Sequence, residues 1–98
     1  MSFKEYTTPM IDIALDGAQE ALRDAEKVIV TIKGRQTIEK EPTIDRGILS
    51  FSLKQEETAI LGVGTVLMEV SILTKDGYVL KSNTVKTTIE AAIRREVM

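Results

Sequence analysis

The sequence contains no cysteine, no histidine and no tryptophan among its 98 residues. These absences remove thiol nucleophiles, imidazole bases and the commonest ligands of metal ions. They also exclude a disulfide framework, so the fold has to rest on packing and backbone pairing. Catalysis would have to use carboxylates, Lys, Tyr, Ser or Thr. We therefore expect no enzyme, no catalytic residue, no cofactor and no metal site.

A strong excess of one charge is also missing. Thirteen Lys and Arg oppose fifteen Asp and Glu, for a net charge of −2, which does not favour a nucleic-acid partner. No stretch reaches the roughly 18–20 apolar residues of a membrane span, and the N-terminus lacks the apolar core of a signal peptide. We expect synthesis in the cytoplasm and no membrane partner.

The chain length fits one small domain at 1–98, with 1–8 and 90–98 as possible contact arms. A chain of this size buries only roughly 60–65% of the surface that its unfolded form exposes. Its margin of stability is therefore thin, and a homo-oligomer becomes plausible.

Alternating apolar residues predict strands, and β-branched residues are abundant, with 11 Ile, 8 Val and 11 Thr. The alternation places one set of side chains on the inward face of each strand. The inward sets are Ile11, Ile13 and Leu15 after Pro9; Val28, Val30 and Ile32; Leu49, Phe51 and Leu53; and Val66, Met68, Val70 and Ile72.

Asp76-Gly77 is the strongest turn signal in the chain. Asp-Gly between two β-rich runs favours a two-residue type I′ turn. The motif predicts a hairpin between a central strand at Gly64–Thr74 and a strand at Tyr78–Ile89.

A second hairpin is predicted around Asp45-Arg46-Gly47, with the glycine in the left-handed region. It would join a strand at Gln36–Glu41 to one at Gly47–Leu53. Gly34-Arg35 would separate Lys27–Lys33 from Gln36–Glu41, so the middle of the chain is predicted to be a meander.

Three segments have apolar residues at helical spacing. We expect a helical turn or a connecting loop at Asp16–Ala25, with Asp16 as its cap, and a single turn at Gln55–Leu61. Ile89–Val97 is predicted as a short terminal helix or an arm. The whole pattern predicts an all-β fold, an Ig-like antiparallel β-sandwich of six to seven strands with one or two short helical turns. The alternative is an α+β domain.

The polar clusters have ordinary structural explanations. Asp12, Asp16 and Asp24 lack the ligand spacing of an EF-hand loop, so we interpret them as turn and cap residues. Glu69 lies among apolar residues, and a cross-strand partner such as Lys81 would explain it.

The remaining charged and glycine motifs are interpreted in the same way. Glu39, Lys40 and Glu41 are interpreted as edge charges that oppose aggregation. Gly62-Val63-Gly64 lacks the following Gly-Lys-Ser/Thr of a nucleotide-binding loop. Arg94-Arg95 is interpreted as part of a solvated tail. The aromatic residues Phe3 and Tyr6 predict that the N-terminal segment packs on a neighbour.

Five stretches carry a resemblance to a known family. They are Thr8-Pro9 before Ile11-Asp12-Ile13, Val28–Lys33, Leu53–Thr58, Met68–Gly77 and Arg95–Met98. In this pattern the chain resembles small structural proteins of the tail and baseplate of phages and prophages of Gram-positive bacteria. It is similar to the N-terminal β-sandwich module of upper baseplate proteins.

The resemblance implies a structural or assembly module of a virion that acts through contacts with other phage structural proteins or with copies of itself. None of the family's motifs is catalytic, so no active-site residue is carried over. Two other functions remain open. One is a small carbohydrate- or ligand-binding β-sandwich. The other is an enzyme, for which Asp12 and Glu69 would be the acidic pair.

Overall fold

A computed structural model describes residues 2–15 and 19–98 of the chain. Within these residues the chain forms nine strands and two short helices. In chain order they are β1 (Ser2–Lys4), β2 (Met10–Ala14), α1 (Gln19–Arg23), β3 (Ala25–Lys33), β4 (Thr37–Lys40), β5 (Thr43–Asp45), β6 (Ile48–Ser52), α2 (Gln55–Leu61), β7 (Gly64–Thr74), β8 (Val79–Lys81) and β9 (Val85–Glu90). Neither of these helices is long and apolar enough to cross a membrane.

Six of the described strands form the larger sheet, in the order β1-β9-β7-β3-β4, and β8 also pairs with β7. The other three form the smaller sheet, in the order β2-β6-β5. The two sheets pack as a sandwich, so the predicted all-β class is confirmed against the α+β alternative. Two details differ from the prediction: the described strands number nine, and β1 pairs with β9 in parallel.

The core lies between the sheets and contains the side chains that the alternation predicted to be inward. Apart from Leu15, which is only partly buried, the predicted inward residues are all buried. Leu61 of α2 and Ile89 of β9 complete the core. Period-two alternation was sufficient to predict these inward residues, because β2, β3, β6 and β7 each have one face on the core.

The hairpin after β7 has a different turn from the predicted one. Its loop contains three residues, because the Thr74 N–H donates to the Tyr78 carbonyl oxygen at 2.8 Å. The Gly77 N–H donates to the Thr74 carbonyl oxygen at 3.0 Å, and Gly77 has φ of 90°. This is a three-residue turn with glycine at its left-handed position, and the predicted type I′ turn is wrong. The predicted second strand is also divided, into β8 and β9.

The hairpin at residues 43–52 has the two-residue turn. Arg46 and Gly47 have φ of 53° and 78°, and Asp45 pairs with Ile48 across the turn. Positive φ at both central residues is the requirement of a type I′ turn. The predicted strand partner is wrong, because β6 pairs with β5 while β4 pairs with β3. The chain crosses between the sheets at residues 41–42, so the middle is not a meander.

The three segments with helical spacing have different outcomes. α2 begins and ends at the predicted residues. α1 lies inside the predicted segment 16–25, but the predicted cap Asp16 lies outside the described residues. The last segment is an arm, since β9 ends at Glu90 and residues 91–98 have no helix or strand.

Candidate functional site

A cleft of about 510 Å³ opens at one side of the sandwich, between β2 and α1 on one wall and β7 and β8 on the other. Leu80 pairs with Ile72 and Val85 with Met68, so these residues face inward. In the described part of the chain, the smaller sheet ends at β2 and leaves this part of the larger sheet uncovered. Leu80 and Val85 are therefore 46% and 44% exposed although they lie on the inner face.

Two polar side chains at the rim of the cleft, Ser82 and Lys81, are occupied by bonds within the chain. Ser82 Oγ accepts a hydrogen bond from the Val70 N–H at 2.9 Å and donates to the Asn83 carbonyl oxygen at 3.0 Å. Lys81 Nζ lies 3.1 Å from Ser71 Oγ and 3.5 Å from Glu69 Oε1. Because Ser71 and Glu69 lie on the outer face of β7, the lysine charge points away from the cleft. The cleft therefore offers apolar surface.

The predicted pairing of Glu69 with Lys81 is confirmed by this contact. Asp12 lies on the outer face of the smaller sheet, where its Oδ1 accepts a hydrogen bond from Ser50 Oγ at 2.6 Å. Asp12 and Glu69 thus occupy opposite outer faces of the sandwich. They cannot act as an acidic pair in one cleft.

Asp24 follows α1, and its carbonyl oxygen accepts a hydrogen bond from the Lys75 N–H at 3.0 Å. The third member of the predicted acidic cluster, Asp16, lies outside the described residues. Across residues 2–15 and 19–98, no group of three or more His, Cys, Asp or Glu side chains could hold a metal ion.

β4 forms one edge of the larger sheet, where Glu39, Lys40 and Glu41 were predicted as edge charges. Lys40 pairs with Val30, a core residue, and its Nζ lies 2.6 Å from Glu57 Oε1 on α2. Burial opposes ionisation of Glu57, but hydrogen bonds from Lys40 and from the Lys54 N–H outweigh it and lower the pKa of Glu57. An inward-pointing charge at an edge strand hinders pairing with another sheet.

The remaining motifs have structural roles. Gly62 closes α2 with φ of 84°, and Gly64 begins β7, so this glycine pair precedes a strand instead of a helix. Arg95 lies exposed in the arm as predicted, and it also bonds the buried carboxylate of Glu5, which the prediction missed. Arg94 pairs only with the exposed Glu96, at 3.3 Å. Phe3 packs against the core within the same chain.

The fold is a two-sheet β-sandwich with a cleft at one side. No family model matches the chain, and no curated protein matches its sequence. Among solved structures, the fold is similar to CopC from Methylosinus trichosporium OB3b, with a TM-score of 0.57 and 13% sequence identity. The match covers 95% of this chain and 86% of that chain. At this identity the likeness shows the fold alone.

The resemblance to phage baseplate proteins is wrong, and so is the virion function that it implied. The backbone matches CopC over 95% of the chain instead. The motifs that carried the resemblance were strand alternation, short polar turns and an Asp-Gly hairpin, which the physics of any small β-sandwich produces. Self-association of the chain stays a prediction.

Proposed function

We propose that this chain is a non-enzymatic binding domain that takes a small apolar ligand in the cleft between β2 and β8. The observation that carries the proposal is an inner sheet face left open, with Leu80 and Val85 nearly half exposed. A volume of about 510 Å³ lies within the usual range for ligand pockets. The likeness to CopC supports a binding protein and the prediction that the chain is not an enzyme.

An apolar ligand fits the cleft better than a carbohydrate does. Protein sites for sugars usually present exposed aromatic rings. Among the described residues that line the cleft there is none. Tyr78 is exposed beside β8 but does not line the cleft.

Copper is the other ligand to consider, because CopC homologues are copper-binding proteins. Copper sites in proteins use imidazole, thiolate or thioether ligands. This chain has no histidine and no cysteine. Of the methionines that the structure describes, Met68 is buried in the core, Met10 is exposed on β2 and Met98 is exposed in the segment after β9. The donor set does not fit a copper ion.

The test is titration of the protein with indole and with cyclohexane, followed by methyl NMR. We expect the largest shifts at Ile72, Leu80 and Val85. The variant Val85→Asp should weaken binding by about tenfold or more, because a carboxylate would stand in the apolar site. Val63→Asp is the matched control, since both valines are 44% exposed and Val63 lies outside the cleft.

Two results would overturn the proposal. One is the absence of shifts at these methyl groups with either compound at millimolar concentration. The other is an equal loss of binding in both valine variants, which would place the compounds elsewhere. Titration with Cu(I) and Cu(II) completes the test, and micromolar binding of either ion would restore copper as the ligand.

A further inference from the structure

The last eight residues are bound to the domain although they form no helix or strand. Ile93 and Met98 are almost fully exposed, and Val97 is nearly half exposed. Burial of apolar side chains therefore contributes little to holding this segment. Polar contacts at two points hold it instead.

The first point is the carboxylate of Glu5, directly after β1. Its Oε1 accepts hydrogen bonds from Arg95 Nε at 2.6 Å and from the Ala92 N–H at 3.2 Å, and its Oε2 accepts one from Arg95 Nη2 at 3.3 Å. Glu5 is only 2% exposed, whereas the side chain of Arg95 is 62% exposed. The segment therefore covers the group that binds it.

The second point is Gln55, the first residue of α2. Its Oε1 accepts a hydrogen bond from the Met98 N–H at 2.7 Å, and its Nε2 donates to the Met98 carbonyl oxygen at 3.4 Å. Both bonds are exposed, so water competes for them. The buried Glu5 contact is the stronger of the two, because charge-assisted bonds away from water are stronger than neutral exposed ones.

We propose that residues 91–98 form a C-terminal strap that Glu5 latches closed through Arg95 and Ala92, and that the strap opens as a unit when this carboxylate is neutralised while the sandwich stays folded. Opening uncovers Glu5 and the end of the parallel pair β1 and β9, where the Glu5 N–H donates to the Glu90 carbonyl oxygen at 2.9 Å. The structure thus assigns to the strap the role of a conformational switch at this end of the sheet.

The charges around Glu5 set the direction of the pH response. Arg95 bonds it from the strap, Arg35 acts on it from the loop between β3 and β4, and Lys4 and Glu90 flank it as a cross-strand pair. The hydrogen bond from Arg95 lowers the pKa of Glu5 below its ordinary value of 4.5, against the effect of burial. The latch is therefore complete at neutral pH and is lost as pH falls through the pKa of the folded protein, below about 4.5.

Amide hydrogen exchange measured by NMR tests the strap directly. The variants are Glu5→Gln and Arg95→Gln, and Arg94→Gln is the matched control because Arg94 bonds only the exposed Glu96. We expect the Ala92 and Met98 amides, whose N–H groups bond Glu5 and Gln55, to exchange about tenfold faster in the first two variants, with the β3 and β7 amides unchanged. Arg94→Gln should behave as the unaltered chain.

Unchanged exchange of the Ala92 and Met98 amides in both latch variants would overturn the proposal. Faster exchange throughout β3 and β7 would also overturn it, since the strap would then not open separately from the sandwich. The pH response gives a second readout. In the unaltered chain the resonances of the Ala92 N–H and the Arg95 Nε–H, which bond Glu5, should shift with a midpoint below about 4.5, and this midpoint should be absent in Glu5→Gln. Its persistence there would assign the titration to another group and overturn the latch.

Discussion

The hydroxyl of Thr58 contacts both backbone groups of Thr7, a residue 51 positions earlier in the chain. Thr58 Oγ1 accepts a hydrogen bond from the Thr7 N–H at 3.2 Å, and its one proton is shared between the carbonyl oxygens of Thr7 and Gln55, each 3.1 Å away. Thr58 is fully buried on α2. A single side chain therefore takes the place of a ladder partner for the segment between β1 and β2.

Thr58→Val should destabilise the fold, because the methyl group that replaces the hydroxyl keeps the shape but leaves both groups of Thr7 unpaired. We expect a loss of about 1–3 kcal/mol in the free energy of unfolding. Urea denaturation measures it. Thr43→Val is the control, since the exposed Thr43 hydroxyl bonds only the Ser50 carbonyl oxygen; its effect should stay within about 0.5 kcal/mol. Equal losses in Thr58→Val and Thr43→Val would show that the buried hydrogen bonds contribute no more to stability than the exposed one.

Gly34→Ala should be costly for steric reasons. A Cβ at this position would collide with the Leu61 carbonyl oxygen and lie 2.9 Å from Val66 Cγ1. We expect a loss of about 1–3 kcal/mol, as for other overpacked positions. Gly77→Asn provides the comparison, because a Cβ there meets nothing within 4 Å and asparagine tolerates the left-handed region. In thermal unfolding, the Tm of Gly34→Ala should be well below the Tm of Gly77→Asn.

Arg46→Asn should stabilise the protein. Arg46 adopts φ of 53° in the turn between β5 and β6, which costs an ordinary side chain about 1–2 kcal/mol. Asn-Gly is a preferred pair for a type I′ turn. We expect a gain of about 1 kcal/mol in chemical denaturation. Asp45→Asn, one residue earlier and outside the left-handed region, should give no comparable gain. A neutral or negative effect of Arg46→Asn would contradict the assigned turn.

Lys40→Met should reduce the dependence of stability on pH. The pKa of Glu57 is lowered, so its contribution is present above about 4.5 and is lost as pH falls through the pKa of the folded protein. Without Lys40 we expect a loss of about 0.5–1 kcal/mol at pH 7 and less difference between pH 7 and pH 3. Urea midpoints at both pH values measure it. Lys81→Met, which removes a more exposed pair at 3.5 Å, should change little.

The faces of β3, β6 and β7 could be predicted from the sequence because their signal is local. Alternation along one strand decides which side chains face the core, whatever the neighbouring strand is. The strand partners could not be predicted in this way. The crossing between sheets after β4 leaves the alternation unchanged, so β4 and β5 have the same pattern as two strands of a meander. The parallel pairing of β1 with β9 joins distant segments and has no local signal.

The candidate site could not be predicted from the sequence, for a similar reason. Leu80 and Val85 have the pattern of inward residues, and their exposure follows from the absence of a smaller-sheet strand above them in the described part of the chain. Such a gap is a property of the assembled sheets. The contact of Arg95 with Glu5 could not be predicted, because an arginine beside Arg94 near the chain end resembles a solvated pair and nothing near it in sequence indicates Glu5.

The parallel pairing of β1 with β9 has a mechanical consequence. Ser2, Phe3 and Lys4 lie beside Thr88, Ile89 and Glu90 in register. Tension applied to the chain before β1 and after β9 would pull the two strands past each other, so the rungs between them would bear the load together. Resistance to stretching is set by the rate of forced unfolding, and this shear geometry makes that rate low for so small a domain.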